Sequence, residues 1–127
     1  MGELFLVASA GLLVFTATVH SVLGERRLLK PLFKQTNGIL ASRLARFILR
    51  FAWHLTSLSW LVLAVILSTF QFQSAHAFSN ALVATGVAFT AAGVFDAFGS
   101  RGRHIGWPLL TAIGIAALLA RIFTNRY

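Results

Sequence analysis

Residues 25–50 read ERRLLKPLFKQTNGILASRLARFILR, and this basic stretch decides the fold because apolar runs lie on both sides of it. Nine of the 11 lysines and arginines fall either here or in the short sequence Ser100-Arg101-Gly102-Arg103. The rest of the chain is largely four apolar runs of about 20 residues, the length that an α-helix needs to cross a bilayer. Basic residues concentrate in loops that stay in the cytoplasm. The pattern therefore predicts four membrane helices, with both basic connections in the cytoplasm and both chain ends outside.

The composition supports a membrane protein of one domain. Of its 127 residues, 57% are hydrophobic and only 11% are charged, whereas soluble domains are about 45–50% apolar and about 25% charged. The net charge of +8 does not indicate a nucleic-acid partner, because the charges flank apolar runs. Anionic lipid headgroups are the expected partners of such juxtamembrane cations. The chain has no cysteine, which excludes disulfides and thiolate metal sites.

We expect an all-α integral membrane protein, an up-down four-helix bundle in which residues 1–127 form a single transmembrane domain. The helices are expected at about residues 4–24, 42–70, 77–98 and 104–123, with short connections that make sequence neighbours pack antiparallel. Residues 25–41 mix basic and apolar side chains and contain the helix breakers Pro31 and Gly38. We expect this segment to lie in the cytoplasmic interface of the membrane.

Three helix faces are expected to point toward other helices, and the one in the second run carries Arg46, Arg50, His54 and Ser57. In the first run, Ser9, Thr16 and His20 fall on one stripe, and polar side chains should avoid lipid. The third run carries a smooth stripe of small residues, which predicts close contact between helix backbones. The members of this stripe are Gly86, Thr90, Gly93 and Ala97.

Four polar residues are expected at one depth, near the cytoplasmic leaflet. His20 lies about one turn before the end of the first run, and His54 lies about one turn beyond Arg50 in the second. Asp96 closes the third run and His104 opens the fourth. Because polar groups inside a membrane are costly, such a group of residues is a candidate functional site.

Three interpretations of this polar group remain open. The residues could tie the helices together through hydrogen bonds with serine or threonine, and Arg50 could pair with Asp96 or Glu25. They could bind a ligand: a haem held by His20 and His54, or a divalent metal held by His20, His54, Asp96 and His104. They could also form a proton or ion path, because histidine titrates near neutral pH.

The basic residues near the ends of the helices form a second candidate site. They either anchor the helix ends by reaching the headgroups or form a binding site for an anion or a lipid phosphate. The residues concerned are Arg43, Arg46, Arg50, Arg101 and Arg103.

Three segments resemble a group of small bacterial inner-membrane proteins that have no assigned activity. They are residues 20–25 (HSVLGE), 53–57 (WHLTS) and 102–108 (GRHIGWP). The resemblance implies four membrane helices and a location in the bacterial inner (plasma) membrane. It implies no catalytic residue for this chain.

The sequence favours a binding protein over an enzyme, because no nucleotide loop, nucleophile elbow or zinc-protease signature is present. We expect a binding or accessory subunit whose polar cytoplasmic face docks a partner, a lipid or a cofactor, either as a homo-oligomer or in a larger membrane complex. One alternative is a membrane redox protein that binds haem or a metal. Another is a proton-coupled carrier of small molecules.

Overall fold

The computed structural model describes residues 2–72 and 74–124, and within these ranges the protein is helical without strands. Four long helices follow one another: α1 (Gly2–Gly24), α2 (Arg43–Phe72), α3 (Ala77–Ser100) and α4 (Gly106–Thr124). In this part of the chain, four helical segments are long and apolar enough to cross a membrane. The expected all-α fold is therefore confirmed.

The helical path does not stop at Gly24, where the basic segment was expected to begin. It continues through a π-helical turn, Glu25–Leu29, and a last short piece, Lys30–Leu32. The N–H of Lys30 bonds to the carbonyl of Glu25, five residues earlier, so the helix is widened at this point. The path ends soon after Pro31, which has no N–H to continue the hydrogen-bond pattern. The basic residues before Pro31 thus lie on a helix that extends from α1.

Among the described residues, extensive contacts between long helices join only those that are neighbours in sequence. α1 packs on α2, α2 on α3 and α3 on α4, and each pair is antiparallel, which gives the expected up-down order. The four helices therefore form a row, with α1 and α4 at its two edges. The connection from α1 to α2 and the turn from α3 to α4 lie at the same end, because Phe47 packs against Gly99. This end carries Arg43, Arg101 and Arg103 and is called the basic end below.

The contact between α3 and α4 is the closest of the three. A Cβ atom added at Gly86 would overlap Leu118, and one at Gly93 would overlap Thr111. From the other helix, a Cβ at Gly114 would overlap Thr90. The expected contact role of the small-residue stripe is thus confirmed for Gly86, Thr90 and Gly93. Lipid provides no hydrophobic driving force between helices. Close approach of this kind instead stabilises a helix contact through van der Waals packing.

The expected polar stripe of the first helix is only partly correct. His20 is half-buried against α2, but Ser9 and Thr16 are exposed on the surface of α1. Ser9 and Thr16 lie farther from the basic end than the polar part of the α1–α2 contact. In that region the buried residues of α1 are Ala10 and Ala17. Small side chains allow the closer approach, so α1 turns its alanines rather than its hydroxyl groups toward α2.

Candidate functional site

Two histidines and two serines join α1 to α2 in a continuous hydrogen-bonded chain. The Nδ1 of His20 lies 3.0 Å from the Oγ of Ser57, and the hydroxyls of Ser57 and Ser21 are 2.9 Å apart. The chain continues from the Oγ of Ser21 to the Nδ1 of His54, again at 3.0 Å. Each hydroxyl can donate to one neighbour and accept from the other, so the two serines can connect the two imidazoles by hydrogen bonds. We call these four residues the histidine–serine chain.

The histidine–serine chain ends at an ion pair on the basic end of the molecule. The Nε2 of His54 lies 3.4 Å from the Oε2 of Glu25. The same carboxylate binds Arg50 through two contacts, Nε to Oε2 and Nη2 to Oε1, each 3.1 Å long. The guanidinium of Arg50 also lies over the Phe33 ring, 4.9 Å from its centroid. Glu25 opens the π-helical turn, so the widened part of the helix is where its carboxylate meets α2.

Trp53 contacts His20, the other end of the histidine–serine chain. Its indole stacks on the His20 ring with a centroid distance of 4.3 Å and an interplanar angle of 5°. Its Nε1–H donates to the backbone carbonyl of His20 at 3.0 Å. The indole reaches this position because Gly24 has no side chain, and a Cβ there would overlap the ring. Trp60 meets the same imidazole edge-on at 5.0 Å, so His20 is packed between two aromatic residues.

A separate polar pair joins α3 to the start of α4. Asp96 is fully buried, and its Oδ2 accepts a hydrogen bond from the Nδ1 of His104 at 2.6 Å. The Ser100 hydroxyl donates to the backbone carbonyl of Asp96, also at 2.6 Å. The other carboxylate oxygen, Oδ1, is buried and has no partner among the described residues. A buried carboxylate is costly unless it is paired, so the bond to His104 holds this turn in place.

The four residues expected to form one metal site therefore belong to two clusters. His20 and His54 lie between α1 and α2, whereas Asp96 and His104 lie between α3 and α4. The described residues contain no group of three histidines or acids positioned to hold a metal ion. The described structure does not bring the four residues together, because the sequence indicates how far along its helix a residue lies but not the rotation of that helix.

The haem interpretation of His20 and His54 also meets an obstacle in this geometry. The hydroxyls of Ser21 and Ser57 lie in hydrogen bonds between the two imidazoles. A porphyrin between the rings would have to displace both serines and separate α1 from α2. The residues present thus fit hydrogen-bonded helix contact better than haem ligation.

The five arginines expected to form one anion site also divide. Arg50 is paired with Glu25, and the guanidinium of Arg46 donates to the backbone carbonyls of Leu40 and Ala41. Arg46 therefore closes the short 3-10 turn Gly38–Ala41 rather than facing a ligand. The remaining three line one groove at the basic end, together with Leu44, Phe47, Gly99 and Ser100. These three are Arg43, Arg101 and Arg103, and we call the site the arginine groove.

The turn between α3 and α4 forms one side of the arginine groove. Arg101 ends α3 in a left-handed conformation, with φ of 55° and ψ of 41°, which is usually the place of a glycine. Its N–H and that of Gly102 bond to the last carbonyls of α3. Phe47 packs on Gly99 and forms the apolar wall of the groove, which encloses about 260 Å³. The groove is thus a concave site with three arginine side chains along its edge.

Some of these partners could not be identified from the sequence. Hydrogen bonds to serine or threonine were expected, but nothing in the pattern singled out Ser21, which lies in the chain beside the histidine that was chosen. Trp53 and His54 are adjacent in the sequence and contact different residues of α1. Trp53 stacks on His20, while His54 bonds to Ser21. The place of Phe47 against Gly99 had no sequence signal.

Comparison of the chain with protein-family models, with curated proteins and with solved structures finds no match.

Proposed function

We propose that the chain is a four-span protein of the bacterial inner membrane that binds an anionic, phosphate-bearing group in the arginine groove. Its basic end faces the cytoplasm in this proposal, because basic connections remain on that side. The protein acts as a binding or accessory subunit rather than as an enzyme. Support for insertion in a membrane comes from the four long apolar helices, whose apolar side chains are widely exposed.

The observation that carries the proposal is three arginines around one groove without an acidic partner. The chain has only three acidic residues. Glu25 is paired with Arg50, Asp96 is paired with His104, and Glu3 lies near the start of α1 at the opposite end. Among the described residues, no carboxylate neutralises the groove. Clustered guanidinium groups that lack a protein anion are suited to bind phosphate, often through two parallel hydrogen bonds.

Two local features of the groove are unfavourable for the helices that carry them. Arg101 occupies a left-handed position that an L residue enters at a cost of about 1–2 kcal/mol. Arg43 opens α2, where the helix dipole disfavours a cation and favours an anion. Strain of this kind is typically found at binding sites. Both features are explained if the side chains are there for a ligand.

The haem or metal alternative and the carrier alternative receive less support from the geometry. The imidazoles of His20 and His54 are tied to serines, and Asp96 is tied to His104. The histidine–serine chain connects residues near the basic end only, whereas a carrier needs a path to the other side. Neither alternative explains the three unneutralised arginines.

The proposal is tested with inorganic phosphate as the probe and protein in maltoside detergent. We expect phosphate to broaden or shift its 31P resonance when the protein is added. The triple variant Arg43→Gln, Arg101→Gln, Arg103→Gln should weaken binding by at least about tenfold, since a hydrogen bond to a charged group contributes about 1.5–3 kcal/mol.

The matched control for this test is the double variant Arg26→Gln, Arg27→Gln. It removes two exposed arginines that lie outside the groove and should leave the 31P signal as in the wild type. Equal binding by the wild type and the triple variant would refute the proposed function.

A further inference from the structure

The contact between α2 and α3 contains two open spaces above the arginine groove, and their lining is apolar except for His54. One cavity of about 360 Å³ lies next to the basic end, lined by residues that include Phe51, Leu55 and Phe95. A second, of about 380 Å³, lies farther from the basic end and includes Val62 and Val83. The two adjoin, because Leu58, Val87 and Ala88 line both. We call the two cavities together the α2–α3 seam.

The α2–α3 seam begins where the arginine groove ends. The Phe47 ring, which forms the wall of the arginine groove, lies 6.0 Å from the Phe51 ring and 6.1 Å from the Phe95 ring. Phe51 and Phe95 line the first apolar cavity of the seam. A cationic site and an apolar channel therefore follow each other along the same pair of helices.

Small side chains on α3 create the space in the seam. Four alanines of α3 face it, namely Ala84, Ala88, Ala91 and Ala92. Close contact between helices would fill such a surface, as happens between α3 and α4, but here the α2 side chains do not reach it. Apart from His54, the lining is apolar, which favours an apolar ligand.

The length of the seam matches a lipid chain. Between Phe51 and Val65, α2 rises about 21 Å at 1.5 Å per residue. This exceeds half the thickness of the hydrocarbon core, which is roughly 15 Å. An acyl chain from one leaflet can therefore lie in the seam over its whole length while its headgroup stays at the basic end.

We propose that one anionic phospholipid of the surrounding bilayer binds here, with its phosphate on Arg43, Arg101 and Arg103 and an acyl chain along the α2–α3 seam. This inference rests on the proposed function and names its ligand. The charge of the groove selects an anionic headgroup. The apolar seam selects a ligand with a long chain over a free phosphate.

The direct test uses phospholipids that carry a photoreactive group in the acyl chain, present at low fraction in vesicles with the full-length protein. After illumination, mass spectrometry locates the labelled residues. Photoreactive phosphatidic acid is expected to label the seam, at positions such as Leu58 and Ala88, at least several-fold more than the lipid-facing residues of the edge helices. Leu12 and Leu109, both largely exposed, report that background.

Matched controls separate specific binding from general lipid contact. Photoreactive phosphatidylcholine should show no preference for the seam, and the triple arginine variant should lose the preference shown by phosphatidic acid. The Arg26→Gln, Arg27→Gln variant should keep it. Labelling that is equal over all lipid-facing helices, or seam labelling that does not depend on the arginines, would overturn the inference.

A second pair of variants separates failure of this inference from failure of the proposed function. Ala88→Phe fills the seam and is expected to abolish its labelling while leaving the 31P response to inorganic phosphate unchanged. Ala112→Phe places the same ring on an exposed position of α4 and should change neither readout. Phosphate binding without seam labelling in the wild type would refute the bound acyl chain and leave the proposed function standing. Absence of phosphate binding by the wild type would refute both proposals.

Discussion

At the scale of single residues, the two acidic residues nearest the basic end are paired, and among the described residues the arginines of the groove are not. Asp96 is fully buried and bonded to His104, and Glu25 is held by Arg50. Arg43 and Arg101 have no such tie among the described residues. In a chain whose helices are apolar, side chains that are both charged and unneutralised are the ones expected to meet a ligand.

The sequence places these residues in the half of each helix nearer the basic end, but it does not predict their partners. Asp96 and His104 lie within about a turn of the helix ends there, whereas His20 and His54 lie about three turns from them. Which neighbour each one meets depends on the rotation of its helix, and this is set by contacts such as Trp53 on Gly24 and Phe47 on Gly99. Those contacts depend on matching shapes across two helices, which have no periodic signal in one sequence.

Asp96→Ala should strongly destabilise the protein. The substitution removes the partner of His104 and leaves a cavity in a fully buried position, and breaking a buried charged pair costs about 3–5 kcal/mol. The measurement is the midpoint of unfolding in detergent, followed by tryptophan fluorescence. Asp96→Asn keeps an acceptor for the Nδ1–H of His104 and should lose clearly less stability. Equal stability of wild type and Asp96→Ala would show that the pair does not hold the turn.

Ser57→Ala tests the histidine–serine chain. Ser57 is 4% exposed and bonds to both His20 and Ser21, so its loss should cost about 1 kcal/mol, a typical value for hydrogen bonds between membrane helices. The matched control is Ser59→Ala, because the Ser59 hydroxyl bonds only to the Leu55 carbonyl of its own helix. We expect a lower unfolding midpoint for Ser57→Ala than for Ser59→Ala, and the reverse order would contradict a chain that joins α1 to α2.

At the scale of helices, irregular backbone occurs where the polar contacts are. The π-helical turn Glu25–Leu29 places Glu25 against α2, and the left-handed Arg101 ends α3 beside the arginine groove. The existence of four helices follows from the apolar runs. The extension of the first helix through Pro31 does not, because proline usually signals a break, and the π turn that accommodates it has no sequence signature of its own.

Arg101→Gly separates helix stability from ligand binding. Glycine is the residue best suited to a left-handed helix end, so the variant should be more stable than the wild type by about 0.5–1 kcal/mol. It also removes one cation from the arginine groove and should bind inorganic phosphate about tenfold more weakly. The two readouts are the unfolding midpoint and the 31P titration in detergent. Unchanged phosphate binding in a stabilised variant would mean that Arg101 does not contribute to phosphate binding.

At the scale of the whole molecule, the three contacts between neighbouring helices differ in their packing. α3 and α4 meet closely through glycines, α1 and α2 are tied by the histidine–serine chain, and the α2–α3 seam between the two pairs is open. The α2–α3 contact is thus lined with alanines on its α3 side, and a further, largely apolar space of about 330 Å³ lies between α1 and α2, away from the histidine–serine chain. The small-residue stripe predicted the tight contact from the sequence. The open one could not be predicted, because alanine favours both close contact and empty space.

The side of the membrane that the basic end faces is the central claim about the whole molecule, and it can be measured directly because the chain has no cysteine of its own. Single cysteines are introduced at Thr36, in the connection from α1 to α2, and at Ala75, between α2 and α3. Both positions are exposed. Whole bacterial cells with a permeabilised outer membrane are then treated with a membrane-impermeant maleimide. We predict that Ala75→Cys is labelled at once and that Thr36→Cys is labelled only after the inner membrane is opened. Labelling of Thr36→Cys from the outside, with Ala75→Cys protected, would contradict a cytoplasmic basic end.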